Sequence, residues 1–462
     1  MRKILLAATA AACAGGMATT ASAQPVPLTN GASGQFAPGT ASPGFTADPG
    51  TIQAFWRGRL YFDAAVKSDS YDRTGFGKQN QYVLGAAARI FPSFEGTAAN
   101  GLKYGAFVEV RQNAGGTGPS GNTGGNTLIF RRESGWVGGS WGQLRFGQTD
   151  DVLGLFMTGT FEGFGDSWNG DLPALLSSQT VVNWPFAENS GTYGSLKFVY
   201  LSPQFAGFDA GISFAPSNAT SGYPSVSGTA GGAGVNSSSI GALSGSFTGN
   251  LANLRRENNL ITTAIRYRGS FGPVGIAATA GLAYGGNVKN GGLSGTAANP
   301  TGLGPTGQYS FRNPFAFDSG VQITYGGLAV GGHVVTGAIN PNGSNNLLPV
   351  AKGVGNSTAF VFGASYATGP FIVGASYVQL VSPGAYNMDY APVAGVGNLG
   401  KRREWGIAVG GTYAYSTGAT LSLTYLYGER KQNNYNFLAD ARSTANNKTR
   451  AQGLILTNFF QW

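Results

Sequence analysis

Hydrophobic and polar residues alternate along most of the chain from residue 52 onward. In residues 52–66, one face would hold Trp56, Gly58, Leu60, Phe62, Ala64 and Val66, and the other Arg57, Arg59, Tyr61 and Asp63. Residues two apart share a face only in an extended strand, so this separation is incompatible with a helix. The same alternation recurs in residues 274–284 and 421–427. The pattern therefore predicts β-strands with one apolar face each.

Sixteen such runs follow one another, an even number as in bacterial outer-membrane barrels. They are predicted near residues 52–66, 81–91, 102–112, 127–139, 142–149, 190–202, 205–215, 256–269, 272–286, 316–326, 328–338, 356–367, 370–381, 401–415, 418–430 and 449–462. The fold class predicted for residues 51–462 is all-β, a 16-stranded antiparallel transmembrane β-barrel.

The connections between these runs alternate between short and long. The short ones are 139–142, 202–205, 269–272, 326–327, 368–370 and 416–418, with one longer member at 92–101. The long ones are 67–80, 113–126, 150–189, 216–255, 287–315, 339–355, 382–400 and 431–448. Short turns at one end and long loops at the other are typical of a barrel that crosses a membrane.

The third long connection, residues 150–189, differs from the others in its charge. It contains no Lys or Arg, and its acidic residues include Asp150, Asp151, Glu162, Asp166 and Asp171. Connections of this length are uncommon in a compact domain unless they are functional or disordered. The segment is therefore the first candidate for a functional loop.

Composition excludes several classes of protein. Only 11% of residues are charged, 42% are hydrophobic and 76 are Gly, which fits neither a disordered chain nor a helical membrane protein. The formal net charge of +9 is spread along the chain, so no basic patch predicts nucleic acid as a partner.

The first 50 residues are predicted to lie outside the barrel. Arg2 and Lys3, a following apolar run and the small residues at 21–23 predict a cleaved signal peptide over residues 1–23. Residues 24–50 are rich in Pro, Gly, Ser and Thr, which predicts a flexible N-terminal arm. The single cysteine, Cys13, lies within the signal peptide, so the exported protein would contain no disulfide.

Two segments resemble a known family. SGWVGGSWGQLRFGQ (residues 134–148) and YLSPQFAGF (residues 200–208) resemble the hairpins on either side of the constriction loop in Gram-negative general-diffusion porins. The resemblance implies a passive, water-filled channel for small hydrophilic solutes and ions in the outer membrane. It also implies a homotrimer in contact with outer-membrane lipid and lipopolysaccharide, in which residues 150–189 fold inward as a constriction loop.

The C-terminal strand resembles the assembly signal of outer-membrane barrels. One face carries Leu454, Leu456, Phe460 and Trp462, so Phe460 and Trp462 are the candidate signal residues. Two features depart from the usual signal: the final residue is Trp instead of Phe, and Asn458 lies on the otherwise apolar face.

The candidate site follows from the alternation. A basic residue facing lipid at the bilayer midplane costs roughly 2–4 kcal/mol, so charged positions are predicted to face the lumen. The predicted basic wall of the pore is Arg57, Arg59, Arg111, Arg145 and Lys197, and further inward residues are Asp63, Lys103, Glu109, Arg266, Arg268, Arg402 and Glu404. Opposed to the acidic loop, this wall would produce a transverse field and a mild anion preference. By strict alternation Arg132 and Arg403 would face lipid, which predicts an interfacial position or a register shift for each.

Other readings remain open. A substrate-specific channel, for sugars or an anion such as phosphate, would need an aromatic track or a longer basic ladder in the lumen. An enzyme is disfavoured, because His333, which alternation predicts to face inward, is the only histidine and no catalytic, metal or cofactor constellation accompanies it. The loop carboxylates lack the regular spacing of a Ca²⁺ site. A secreted β-sandwich would not explain the aromatic C-terminus.

Overall fold

The computed structural model describes residues 50–70, 80–113, 127–160, 195–217, 255–256, 258–286, 289–290, 312–340, 348–350, 352–385, 393–439 and 441–462. Within them, sixteen antiparallel strands close into one barrel in chain order. The strands are β1 (Ile52–Asp69), β2 (Tyr82–Thr97), β3 (Lys103–Asn113), β4 (Thr127–Gly139), β5 (Gly142–Thr149), β6 (Ser195–Leu201), β7 (Phe208–Ser217), β8 (Asn258–Phe271), β9 (Val274–Tyr284), β10 (Phe315–Tyr325), β11 (Leu328–Gly337), β12 (Ser357–Thr368), β13 (Phe371–Ser382), β14 (Arg402–Ser416), β15 (Ala419–Gln432) and β16 (Lys448–Gln461).

Little regular structure lies outside the barrel in the described residues. Three two-residue pairs extend the long connections: 255–256 with 289–290, 339–340 with 348–349, and 435–436 with 441–442. One short helix, α1 (Val152–Phe156), follows β5. Neither it nor any other helix in the described ranges is long and apolar enough to cross a membrane.

The predicted fold class is confirmed, with one shorter turn than expected. β2 continues through Pro92, opposite Trp56 of β1, and ends at Thr97. The pairing of β2 with β3 is interrupted at residues 91 and 92, where proline has no N–H to donate. The connection predicted at 92–101 is therefore a tight turn, closed by a hydrogen bond from Ala98 N to Leu102 O (2.8 Å).

The two faces of the wall differ as the alternation predicts. Large apolar side chains are exposed on the outer face, for example Trp56, Phe62 and Leu423. Rings cluster at the short-turn end of that face, including Trp141, Phe205, Phe271, Tyr325, Phe371 and Trp462. An apolar band with an aromatic girdle is the surface that a barrel presents to lipid.

The predicted register shift occurs at Arg132. Glu109 pairs with Arg132 but the next residue, Val110, pairs with Phe130, so β4 has one extra residue at this point. Phe130 faces outward, whereas Arg132 is only 5% exposed and faces the lumen. A β-bulge thus inverts the alternation and removes a guanidinium from the lipid face. Arg403 takes the other predicted option, since it faces outward at the second position of β14, at the long-loop end of the barrel.

The C-terminal strand closes the barrel against β1. Gly58 and Trp462 exchange backbone hydrogen bonds of 3.1 Å, and the Trp462 indole covers the position that a Cβ of Gly58 would need. Phe460 and Trp462 face outward, as predicted. Asn458 accepts a hydrogen bond from the Tyr415 hydroxyl (2.8 Å), which satisfies the polar group on this apolar face.

Candidate functional site

Three arginines lie side by side on the lumen face of β1, β2 and β3. Arg59 pairs with Arg89, and Arg89 pairs with Arg111. Like charges directly opposite each other on neighbouring strands are unfavourable unless other groups compensate. We call these three residues the arginine ladder. Arg59 and Arg111 were predicted in the basic wall but Arg89 was not, although the outward alternation of Leu84 and Ile90 places it inside.

Aromatic rings offset part of the repulsion between these guanidinium groups. The Arg59 guanidinium lies 5.3 Å from the Tyr61 ring centroid and 5.4 Å from that of Phe91, and Arg89 lies 6.0 Å from Tyr61. Arg57 lies 4.8 Å from the ring of Phe55. Such cation–π contacts contribute about 0.5–2 kcal/mol each.

Carboxylates also offset the positive charge around the arginine ladder. Glu109 is fully buried, lies 3.7 Å from Arg89 Nη1 and accepts a hydrogen bond from Arg132. Arg132 Nε also donates to Asp150 Oδ1 (2.9 Å). Asp150, predicted to oppose the basic wall, therefore pairs directly with Arg132 and also interacts electrostatically with Arg145 and Lys197 of that wall.

The other loop acids divide into two groups. Asp151 caps α1 by accepting a hydrogen bond from Gly154 N (2.8 Å), a local structural role. Glu162, Asp166 and Asp171 lie outside the described residues, so their position opposite the basic wall stays a prediction.

The remaining wall residues are buried on β5 and β6. Arg145 is 4% exposed, and its Nε donates to Gln143 Oε1 (2.7 Å). Lys197 is 3% exposed and donates to the backbone carbonyl of Thr149 at the end of β5. Both face the lumen, as predicted.

Residues 150–160, which we call the inner segment, pack against the opposite wall. Val152 and Leu153 of α1 have no exposed surface, and the helix contacts β7, β8 and β9. The wall makes room for them with glycine. A Cβ at Gly211 would overlap Val152, and one at Gly281 would overlap Leu153. The first eleven residues of the predicted constriction loop therefore lie inside the barrel.

Wall side chains bind the backbone carbonyl groups of the inner segment one after another. Thr279 Oγ1 donates to Phe156 O (2.7 Å), and His333 Nδ1 lies 2.7 Å from Thr158 O. Arg266 Nη1 makes a longer contact of 3.5 Å with Leu155 O. Arg266, Thr279 and His333 belong to β8, β9 and β11, so the segment crosses the strands with successive anchors. We call these three residues the carbonyl latch.

Two buried carboxylates position the latch. Asp209 accepts from Arg266 Nε (3.0 Å) and Nη2 (2.5 Å), and Asp318 Oδ2 lies 3.0 Å from His333 Nε2. Since both partners of the His333 ring are acceptor oxygens, the geometry fits a ring that donates from both nitrogens. The Arg266 guanidinium also covers the ring of Phe156 at 4.0 Å. Sequence reasoning placed Arg266 and His333 inward but could not foresee a partner more than a hundred residues away.

No metal centre is found within the described ranges, where no group of three or more His, Cys, Asp and Glu side chains is placed to hold an ion. The histidine that alternation placed inward is thus an anchor for backbone. The lumen combines a basic, aromatic wall on one side with a wall covered by the chain's own backbone on the other.

Comparison with known proteins agrees with this architecture. A family model described as Gram-negative porin matches residues 7–453. The anion-selective porin from Comamonas acidovorans has a similar fold, with a TM-score of 0.52 and 16% sequence identity, over 89% of this chain and 100% of that one. No curated protein matches the chain.

Two further solved structures are similar. OmpT of Vibrio cholerae in its trimer form has a TM-score of 0.48 and 12% identity over 90% of this chain and 100% of that one. The Salmonella typhi OmpF complex with daunomycin has a TM-score of 0.48 and 13% identity over 88% of this chain and 97% of that one. From the extent of the family match and the closed 16-stranded barrel, the chain belongs to the Gram-negative porin family and is an outer-membrane diffusion channel.

Proposed function

We propose that the lumen is a water-filled pore for small hydrophilic solutes and ions with a mild preference for anions. The arginine ladder is the observation that carries this proposal, because three guanidinium groups in register make one stretch of wall strongly positive. Walls of charge tune the ion preference of a pore by attracting counter-ions. Arg57, Arg145 and Lys197 extend the same basic wall.

The balance of charge on the lumen face supports the same preference. The described basic residues on this face outnumber the acidic ones: Arg57, Arg59, Lys67, Arg89, Lys103, Arg111, Arg132, Arg145, Lys197, Arg266, Arg268, Arg402 and Arg430, against Asp63, Asp69, Glu95, Glu109, Asp150, Asp151, Asp209, Asp318 and Glu404. Several of these carboxylates already pair with arginine, for example Glu404 with Arg430 Nε at 3.1 Å. The net charge of the described lumen-facing residues is therefore positive.

The position of the inner segment supports a constriction. In a ring of sixteen strands, β9 lies eight places from β1, so the carbonyl latch is opposite the arginine ladder. A loop over residues 150–189 that runs from β5 to the wall with the carbonyl latch, and then extends toward the ladder, would narrow the pore. Solutes would then pass between fixed positive charge and the loop, whose remaining acids complete the transverse field.

The rest of the assignment concerns assembly. We expect residues 1–23 to be removed as a signal peptide and residues 24–50 to form a flexible arm. The general-diffusion porins that the two hairpins resemble are trimeric, which supports a homotrimer surrounded by outer-membrane lipid and lipopolysaccharide. The outward aromatic residues Phe460 and Trp462 suit the assembly signal. Family membership favours a channel over an enzyme, with no cofactor.

Reversal potentials across a planar bilayer test the ion preference. Under a KCl gradient the purified protein should show chloride preference, because K⁺ and Cl⁻ have nearly equal mobility in water and any difference arises in the pore. Arg59→Gln/Arg111→Gln should move the permeability ratio toward one. Arg89 is retained in this variant because it neutralises Glu109. The matched control, Arg403→Gln/Lys431→Gln, removes the same charge from the outer face and should leave the ratio unchanged. Equal permeability or cation preference in the unmodified protein would refute the proposal.

A specific anion channel is the second candidate, and Arg89 favours it because it makes the basic ladder longer than the sequence predicted. Tyr61 and Phe91 add aromatic surface beside the ladder. Inorganic phosphate at millimolar concentration should then block the chloride current, with relief in Arg59→Gln/Arg111→Gln. A current that phosphate leaves unchanged would retain the general channel and exclude the specific one.

A further inference from the structure

His333 differs in its chemistry from the other two residues of the carbonyl latch. Guanidinium and hydroxyl groups keep their donors across the physiological pH range, whereas an imidazole gains or loses a proton near neutral pH. His333 also holds Thr158, close to the end of the described part of the inner segment. The protonation of this one ring can therefore control where the rest of the loop begins.

The local geometry places the ring between two oxygen atoms. Gly320 of β10 lies opposite His333 of β11, so Asp318 is the diagonal neighbour of the ring on the same face. Asp318 Oδ2 lies 3.0 Å from Nε2, and Thr158 O lies 2.7 Å from Nδ1. The absence of a side chain at Gly320 makes room for the Thr158 carbonyl, since a Cβ there would overlap it. His333, Asp318 and Thr158 are all buried.

Among the described residues, Asp318 is the charged group that acts on the ring. The inward positions of β10 and β11 carry no other titratable side chain, and those of β9 and β12 carry none. Residues 152–160 of the inner segment carry none either. On β8, Arg266 is bound by both oxygens of Asp209. Within the described chain, the charge of the ring is therefore coupled mainly to Asp318.

A neutral ring cannot donate to both oxygen atoms. It carries one N–H, so its other nitrogen presents a lone pair to an acceptor. The tautomer with its proton on Nε2 keeps the stronger hydrogen bond, because the acceptor there is the ionised carboxylate of Asp318. The contact that is lost on deprotonation is then the one from Nδ1 to Thr158 O, which anchors the inner segment.

The packing of the inner segment makes this contact important. Gly159 has a φ of 80°, and a Cβ at this residue would overlap the carbonyl oxygens of Gly332 and Val321. The backbone of the segment thus lies directly on the backbone of β10 and β11, with no side chain between them. The Thr158 hydroxyl is engaged with Thr279 Oγ1 (2.8 Å). A buried carbonyl that loses its donor is costly, so the segment would move toward the water of the lumen.

We propose that His333 is a positioning residue of the pore: its second proton docks the inner segment, and loss of that proton at higher pH makes the pore wider or noisier. A hydrogen bond that involves a charged group changes such an equilibrium by roughly tenfold to a hundredfold. The ratio of released to docked segment should rise by this factor as the ring loses its proton. The proposal rests on the proposed constriction by residues 150–189 but not on the ion preference of the pore.

Single-channel recordings from about pH 5 to about pH 9 would test the proposal. A high KCl concentration screens the exposed charges, so that surface titration contributes little. In the unmodified protein, the wide or noisy state should become at least about tenfold more populated as the pH rises. His333→Gln is uncharged at every pH and should show that state throughout.

Asp318→Asn should have the opposite effect to His333→Gln. The amide of an asparagine can donate to a neutral Nε2, which leaves the N–H on Nδ1 for Thr158 O. The pore should then stay narrow and quiet at high pH. The matched control is Asp63→Asn, the same change at a buried acid of β1, and it should keep the pH response of the unmodified protein. A merely structural role for the pair would make both latch variants noisy.

Nitrogen-15 NMR observes the ring directly. The chain contains one histidine, so tag-free protein labelled at histidine gives the signals of a single imidazole. Both ring nitrogens should be protonated in the narrow state, and the ring and the channel should change at the same pH. A ring that stays neutral over the whole range, a ring that titrates without a change in the channel, or equal noise in His333→Gln and Asp318→Asn would overturn the proposal.

Gly320→Ala separates a failure of this proposal from a failure of the constriction, because it displaces the segment or the ring at any pH. If Gly320→Ala alters the conductance but pH and His333→Gln do not, the role of His333 alone is wrong. If none of the three alters the conductance, the constriction by the inner segment is wrong as well.

Discussion

The two sides of the lumen have the same alternation of inward and outward residues, but their inward residues contact different partners. On β1 to β6 the inward positions carry guanidinium groups, ammonium groups and aromatic rings. On β7 to β11 they carry glycine, small side chains and donors that bind the backbone of the inner segment. The comparison shows that strand alternation decides only which residues face inward. Residue size and the presence of carboxylate partners decide whether the wall faces solute or the protein's own chain.

Charge is handled differently on the two walls. Arg266 is held by both oxygens of Asp209 and is committed to structure. Arg59 lies against the uncharged rings of Tyr61 and Phe91. Stability should therefore depend mainly on the latched wall, and ion preference mainly on the basic wall.

Arg266→Ala should have the largest effect. Its removal leaves buried Asp209 with Arg268 as its remaining described partner, and breaking a buried pair in this way costs about 3–5 kcal/mol. The temperature at which the folded band is lost on detergent gels should fall sharply. Single-channel conductance should become larger or noisier as the inner segment loosens.

Arg145→Ala on the basic wall provides the contrast for Arg266→Ala. Its described hydrogen bond is to the neutral Gln143, and the nearby buried Asp150 keeps its bond to Arg132, so the thermal transition should move less than in Arg266→Ala. The change should appear in the reversal potential instead. Equal thermal losses in both variants would show that the two walls do not differ in this way.

Gly320→Ala should have an intermediate effect. A Cβ there would overlap the Thr158 carbonyl and lie 2.5 Å from His333 Nδ1, so the inner segment or the histidine must move. Overpacking of this kind costs about 1–3 kcal/mol. We expect a lower thermal transition together with altered conductance. Unchanged conductance would mean that this part of the inner segment does not limit the pore.

Thr279→Val should have the smallest effect of the three. It keeps the side-chain shape but removes the hydrogen bonds to Phe156 O and Thr158 Oγ1, a loss of about 1–2 kcal/mol. Thr457→Val is its counterpart on the basic wall, where the hydroxyl donates to Asp63 (2.6 Å). Both should lower thermal stability, but only Thr279→Val should change channel noise. Equal channel noise in the two variants would show that the hydrogen bonds of Thr279 do not specifically steady the inner segment.

The fold was predictable because alternation is a local property. The residues of each strand show which of its faces is apolar. An even number of strands joined by alternating short and long connections is then typical of a closed barrel. The register shift at Arg132 was predictable for the same reason, since a guanidinium facing lipid is too costly. Pro92 misled the prediction because a proline usually ends a strand, whereas here it interrupts only one of two ladders.

The site was predictable only in part. Alternation places Arg59, Arg145 and His333 inside but says nothing about which partner each one meets. Asp150 illustrates the limit, because its position in an acidic loop indicated a pore-facing charge, yet it binds Arg132. The latch joins Thr158 to His333 across 175 residues of chain, a contact that no local pattern encodes.

Closure of the barrel has a consequence for biogenesis. The seam joins Gly58 to Trp462, so the sheet is closed only when the first and last strands pair with each other. Until then the growing sheet has two unpaired edges, which are templates for misassociation with other chains. Shielding of both edges until the first and last strands pair would prevent this misassociation. The Trp462 indole packs against Gly58 only in the closed barrel, so this contact distinguishes the closed barrel from the open sheet.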